Sequence, residues 1–232
     1  MTLETPLNAF SMDTYASIIK HALEHSYKFV TLREFVKLGC PDKHHFVIRH
    51  DVDRCPLALE HIVDVEASFG IASTTYVRVA GAEYNPFSYP AFKVFKAASE
   101  KGTEIGLHTS FYEFSKINNV DPLQILEGEI AMLRSFFDVA SVSTHRDINY
   151  TYNSLPYLTE NWDNIASTLK LEYHAYEAKI MSAMTYVNEG FNPHLSWRSI
   201  TPFDAVEKGN GKSVYLLTHP HWWYKTHPFE VT

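Results

Sequence analysis

Five short runs of β-branched and apolar residues recur along the chain, and segments with helical spacing separate most of them. They are Phe46-Val47-Ile48, residues 72–80, Glu104-Ile105-Gly106-Leu107, residues 139–144 and residues 213–218. Runs of this length and type predict strands. Strands that alternate with helices build a parallel sheet with right-handed crossovers, as a barrel or a doubly wound layer. The intervening helices have their own marks. Tyr15, Ile18, Ile19, Ala22 and Leu23 give a helix over 12–26, and Thr31 with Glu34 offers a capping box for a short one ending near Gly39. Pro56 opens a helix that Gly70 ends, another runs near 89–101, and Asp121-Pro122 starts a third. From 150 to 210 the pattern weakens to a helix at 162–170 and short strands or loops beyond.

Four of the five predicted strands end on ionisable side chains. Phe46–Ile48 runs into Arg49, His50, Asp51 and Asp53; the others end at His108, at His145-Arg146-Asp147 and at His219. Charge at the end of a core strand is costly unless it faces a cleft, is paired, or holds a metal. Asp51 and Asp53 are two residues apart, so extended backbone points both to one side, where a cation would relieve their repulsion. In a parallel α/β fold the C-terminal strand ends share one face, and active sites sit there. One Asp and two His make a first shell for Zn²⁺ with a position left for water. The second Asp would take a proton from that water, and a His on the far side would protonate a leaving group. Ordinary ion pairs at strand ends are the plainer alternative.

With 232 residues, 45% hydrophobic and 20% charged, the chain fits one domain, residues 1–44 forming a helical segment packed on it. A formal charge of −7 argues against nucleic acid as the main partner. The first residues, MTLETPLNAFSMDTY, lack a positive region and a continuous apolar core, and no apolar run reaches the roughly 18 residues of a membrane span. The expectation is a cytoplasmic protein without a disulfide between Cys40 and Cys55.

These motifs resemble the polysaccharide deacetylases, carbohydrate esterase family four, which share a catalytic domain with the chitooligosaccharide deacetylases. The likeness covers about residues 45–223. His50-Asp51-Val52-Asp53 is similar to the family's first motif, implying Asp51 as base and Asp53 as ligand. Residues 104–112 resemble the second motif, a His-Ser/Thr-x-x-His after Glu-Ile-Gly-Leu, and Leu216-Leu217-Thr218-His219 resembles the last, implying His219 as acid. The run from His219 to Trp223 looks like a branch without signal peptides that often accompanies surface-glycan biosynthesis genes. The resemblance implies a distorted (β/α) barrel. Two departures stand out. Tyr112 occupies the place of the family's second histidine, so His145 is taken to replace it; and the Arg-x-Pro-Tyr segment is absent, leaving Arg146 or Arg198 to orient Asp51.

The resulting expectation is a metal-dependent hydrolase that removes an acetyl or formyl group from an amide on an intracellular sugar. Asp53, His108 and His145 would hold Zn²⁺ or another divalent transition metal, with Asp51, His219 and Arg146 catalytic. Trp222, Trp223, Tyr112 and Arg198 are the substrate-binding candidates; the tryptophans and Tyr224 serve either as packing or as flat faces for a pyranose. His50 is expected beside the Asp pair as a supporting donor. The substrate would be a small or carrier-linked sugar, nucleotide-linked or lipid-linked. Two rivals remain: an inactive deacetylase-like domain that binds a glycan or a partner, and a metallohydrolase of phosphate esters or cyclic amides. Few Lys and Arg near the site weigh against phosphate, while Arg49, Arg54 and Arg146 keep it open.

Overall fold

The computed structural model describes residues 10–146, 151–189 and 196–226. The stretch before Phe10, Asp147, His194 and His227 lie outside the described residues. The chain opens with α1 (Met12–Glu24), β1 (Lys28–Phe29) and α2 (Leu32–Lys37). Ser11 caps α1 through the Thr14 N–H, and Thr31 and Glu34 form both halves of the expected capping box on α2. Then β2 (His45–Val52), α3 (Ala58–Ser68), β3 (Thr74–Arg78), α4 (Tyr89–Glu100) and β4 (Glu104–Thr109) alternate. Two helices follow, α5 (Phe111–Asn118) and α6 (Pro122–Arg134), the second capped by Asp121. The remainder is β5 (Ser141–Thr144), α7 (Ser154–Glu160), α8 (Trp162–Leu169), β6 (Tyr173–His174), α9 (Ala178–Ala183), β7 (Met184–Asn188), α10 (Pro202–Lys208) and β8 (Ser213–Thr218).

Every described strand pairing is parallel, in the order β6-β5-β4-β3-β2-β8-β7, with β1 on the start of β2. The strands therefore follow chain order around a curled sheet that is open between β6 and β7, an architecture compatible with a distorted (β/α) barrel. At that seam lies α9, whose Ile180 is buried in the inner cluster with Tyr173 and Tyr215. The Tyr215 hydroxyl, on β8, donates to the Ala175 carbonyl just past β6 at 3.2 Å, tying the two sides of the opening.

The pleat sorts β2 into two faces. Phe46 and Ile48 pack outward with Tyr15, Ile18 and Ile19 of α1 and Ala205 and Val206 of α10. Val47 turns inward to Tyr76, Tyr173 and Tyr215. A third cluster joins α3, α4 and α6 to β3, β4 and β5. The predicted end of β2 at Ile48 is corrected: the strand continues to Val52, with Arg49, His50 and Asp51 buried within it. Arg49 and Asp51 satisfy each other inside the curl, so the charged run need not end the strand. Missing from the sequence reading were α5, α7, α9, α10 and β1, all short; β6 and β7 fall in the aromatic-rich stretch expected to hold short strands or loops, for which it set no bounds.

Candidate metal centre

The C-terminal ends of β2, β4, β5 and β8 converge, and each carries its ionisable side chain to one place. Asp53 sits just beyond β2, its N–H held by the Asp51 carbonyl at 3.2 Å. His108 Nε2 approaches Asp53 Oδ1 at 3.2 Å and His145 Nε2 approaches the same oxygen at 3.4 Å. These three residues form a group able to hold a metal ion, with one ligand atom from each, all within 4.8 Å of one another. Asp53 Oδ1 is buried and accepts no well-aligned hydrogen bond. An oxygen facing two ring nitrogens in that way is what a cation would bridge, so the residues present fit such an ion. The His108 Nδ1 lies 3.2 Å from the Ser143 carbonyl, to which it can only donate, and this leaves the Nε2 lone pair for the centre.

Burial pushes the Asp53 carboxyl up, but the rings of His108, His219 and His145 outweigh it and hold the group ionised well below the usual range. Asp51 lies deeper. Its Oδ2 is 3.5 Å from His108 Nε2, and both of its oxygens accept from the Arg49 guanidinium, Nε to Oδ1 at 2.7 Å and an Nη to Oδ2 at 2.6 Å. Burial raises the Asp51 pKa and Arg49 lowers it, with the ion pair prevailing. Arg49 is fully buried, donates also to the hydroxyls of Tyr176, Tyr215 and Ser143, and lies over the rings of Tyr76 and Tyr176. The guanidinium on Asp51 is thus Arg49 from the same strand; Arg146 and Arg198, expected in that role, are exposed residues in the loops after β5 and β7.

His219 follows β8 and presents Nε2 3.7 Å from Asp53 Oδ2. Its other nitrogen, Nδ1, pairs at 2.7 Å with Glu189, a buried residue just past β7 whose carboxylate also accepts from the His219 N–H and the Trp223 indole. Burial lowers the His219 pKa, but Glu189, with Asp53 and Asp51 behind it, raises it to about 9. Sequence reasoning missed Glu189 because the stretch was open between short strands and loops, with no strand end located in it. Seen as a strand, β7 ends on an acid just as β2 does.

Several expectations are corrected here. Trp223 offers no face to a sugar: it is 1% exposed, spends its indole N–H on Glu189, and packs against Phe10 and Tyr15 at centroid distances of 5.1 and 5.0 Å. Tyr224 is likewise buried, while Trp222 is half-buried beside His221. His50 points away from the Asp pair, as strand alternation requires, and is buried between Glu66 and Thr218 at 2.8 and 2.6 Å. Tyr112 lies on α5, where its ring stacks on Tyr157 at 4.4 Å and sits under the Lys116 ammonium at 4.9 Å. Cys40 and Cys55 are free thiols, and no helix among the described residues is long and apolar enough to cross a membrane.

Fold and site together define a parallel α/β protein with a candidate metal centre at the C-terminal edge of its curled sheet. No protein-family model matches the chain, and no curated protein matches it either.

Proposed function

We propose that the protein is a metal-dependent amide hydrolase that removes an acetyl or formyl group from an amino sugar or a related amide, in the manner of the polysaccharide deacetylases whose motifs it resembles. The observation that carries this reading is the convergence of Asp53, His108 and His145, with Asp51 and His219 beside them. Ligand atoms bound about 2.1 Å from a tetrahedral ion lie roughly 3.4 Å apart. The 3.2 and 3.4 Å separations support Zn²⁺ or a similar divalent ion, held by those three side chains. Such an ion supplies an acidified water and a polarised acyl oxygen.

The chain's own groups supply the proton traffic. Asp51, kept ionised by Arg49, takes a proton from the attacking water; a carboxylate has about four lone-pair sites, so two remain beyond those that Arg49 fills. His219 is kept protonated by Glu189 and gives its Nε2 proton to the departing amine. Glu189 is a positioning residue that fixes the ring through Nδ1.

The test combines elemental analysis with an assay of acetate and formate release from N-acylated sugars. The expected result is one zinc per chain, lost in Asp53→Asn and His145→Ala. Asp51→Asn should keep the zinc and lose about 10²–10⁴-fold in kcat. Full activity of the Asp51 variant, or unchanged zinc stoichiometry and affinity in the His145 variant, would sink the reading.

A further inference from the structure

Resting on that reading of the centre, we infer that His50, held between Glu66 and Thr218, is a positioning residue that sets the separation of Asp51 and His219 from the opposite face of the sheet. In the register of β2 against β8, His50 opposite Thr218 is the last pair. Beyond it the strands part: β2 continues to Asp51 and Val52 against β3, and β8 gives way to His219. The base and the acid of the proposed reaction are therefore the first residues past one fork. His50 Nδ1 closes that fork with a 2.6 Å contact to the Thr218 hydroxyl.

On its other side, His50 Nε2 lies 2.8 Å from Glu66 Oε1 on α3. The same carboxylate accepts from the Tyr15 hydroxyl of α1 at 2.6 Å and from the Ser73 hydroxyl, just before β3, at 2.8 Å. A carboxylate only accepts, so Nε2 carries the ring hydrogen and Nδ1 is left to accept from Thr218. Tyr15 adds a second route to the acid. Its ring meets that of Trp223 at 5.0 Å, and the Trp223 indole donates to Glu189, the partner of His219.

Carboxylate, imidazole and hydroxyl in that order would activate a nucleophile in an open cleft. Here His50 and Thr218 are fully buried and Glu66 nearly so, on the face of the sheet that α1 and α3 cover. No acyl group reaches Thr218 there, so the chain of contacts serves as a tie. Holding the helices does not require it. Ile48, Ile62 and Leu216 pack the same layer through apolar contact, and apolar side chains in place of a buried ion pair commonly stabilise a fold as well or better. Directional hydrogen bonds add a fixed geometry, which a reacting pair needs to within about 0.5 Å.

Thr218→Val tests the inference, because it removes the hydroxyl and keeps a β-branched side chain in the strand. In the zinc-loaded protein, kcat for acetate or formate release should fall about 10–100-fold, with KM little changed. Thr218→Ser, which restores the hydroxyl, should recover most of the loss. A contact that only holds the fold would lower the melting temperature of Thr218→Val and leave kcat of the folded protein as it was. That result, or a Ser variant as slow as the Val one, overturns the inference. Crystal structures of the wild type and Thr218→Val give a reading that needs no turnover. Asp51 and His219 should shift relative to each other by more than about 0.5 Å, and a pair left in place overturns the inference. If the wild type releases neither acetate nor formate from any N-acylated sugar, the proposed function fails, and the two crystal structures alone decide this inference.

Discussion

Arg49 and Asp51 stand two residues apart on one strand, so the pleat aims both into the curl of the sheet. Removing one of such a pair strands the other's charge in the interior, which costs far more than the pair contributes. Arg49→Ala is therefore expected to destabilise the fold by about 3–5 kcal/mol in urea unfolding. Arg49→Met with Asp51→Leu should recover most of that loss, and a double variant as unstable as the single one would contradict the account. A second buried group sets a pH dependence. Glu129 on α6, buried and accepting from the Thr109 hydroxyl, has its pKa raised by burial to about 7, with Thr109 and Arg78 opposing. A carboxyl raised in the folded state contributes stability that is full below its unfolded pKa, near 4.5, and is lost as pH climbs through about 7. The loss from pH 5 to pH 8 should be on the order of 3 kcal/mol. Glu129→Gln should flatten that decline, as denaturant midpoints across the range would show.

Among the elements, β4 is constrained at alternate positions. Its alternate residues Glu104, Gly106 and His108 all face inward, from the floor to the candidate metal centre. The Tyr76 ring that lies beside Arg49 passes over Gly106, where an added Cβ would sit 2.4 Å from Tyr76 Cε1 and 3.0 Å from Ser141 Oγ. A ring cannot step aside as a flexible chain end would. Gly106→Ala should cost roughly 1–3 kcal/mol by overpacking and should disturb Arg49 and Asp51 through Tyr76. Calorimetric melting checks the first effect, and kcat with acetate or formate release as readout checks the second. Below the glycine, the half-buried Glu104 accepts from Tyr173, Thr74, Ser141 and the Arg33 N–H, so the floor of the curled sheet is fixed to α2 by one carboxylate.

At the scale of the whole molecule, the open seam and the candidate metal centre are linked. The sheet does not close by strand pairing between β6 and β7; it is held by α9, by Tyr215 on Ala175 and by the Arg49 network reaching Tyr176. A cation joining the ends of β2, β4 and β5 would add a further tie at the rim. Zinc at a thousand times its Kd stabilises the native state by about 4 kcal/mol, a rise in Tm on the order of 10 °C for a chain of this size. Scanning calorimetry with zinc and with chelator should show that rise in the wild type and not in Asp53→Asn. An unmoved Tm in the wild type would count against the centre.

The sequence by itself determined the alternation of strands and helices, and with it the parallel sheet, because hydrophobic periodicity and caps such as Thr31 with Glu34 are local properties. It also determined that Asp53, His108, His145 and His219 would meet, since parallel strands put their C-terminal ends on one edge. Tertiary structure alone decided which neighbours each would have. Arg49 became the partner of Asp51 because the curl buried both; Trp223 became a donor to Glu189 because β7 came to lie beside β8. Those choices depend on long-range pairing and on the depth of the interior, and no window of adjacent residues carries either quantity.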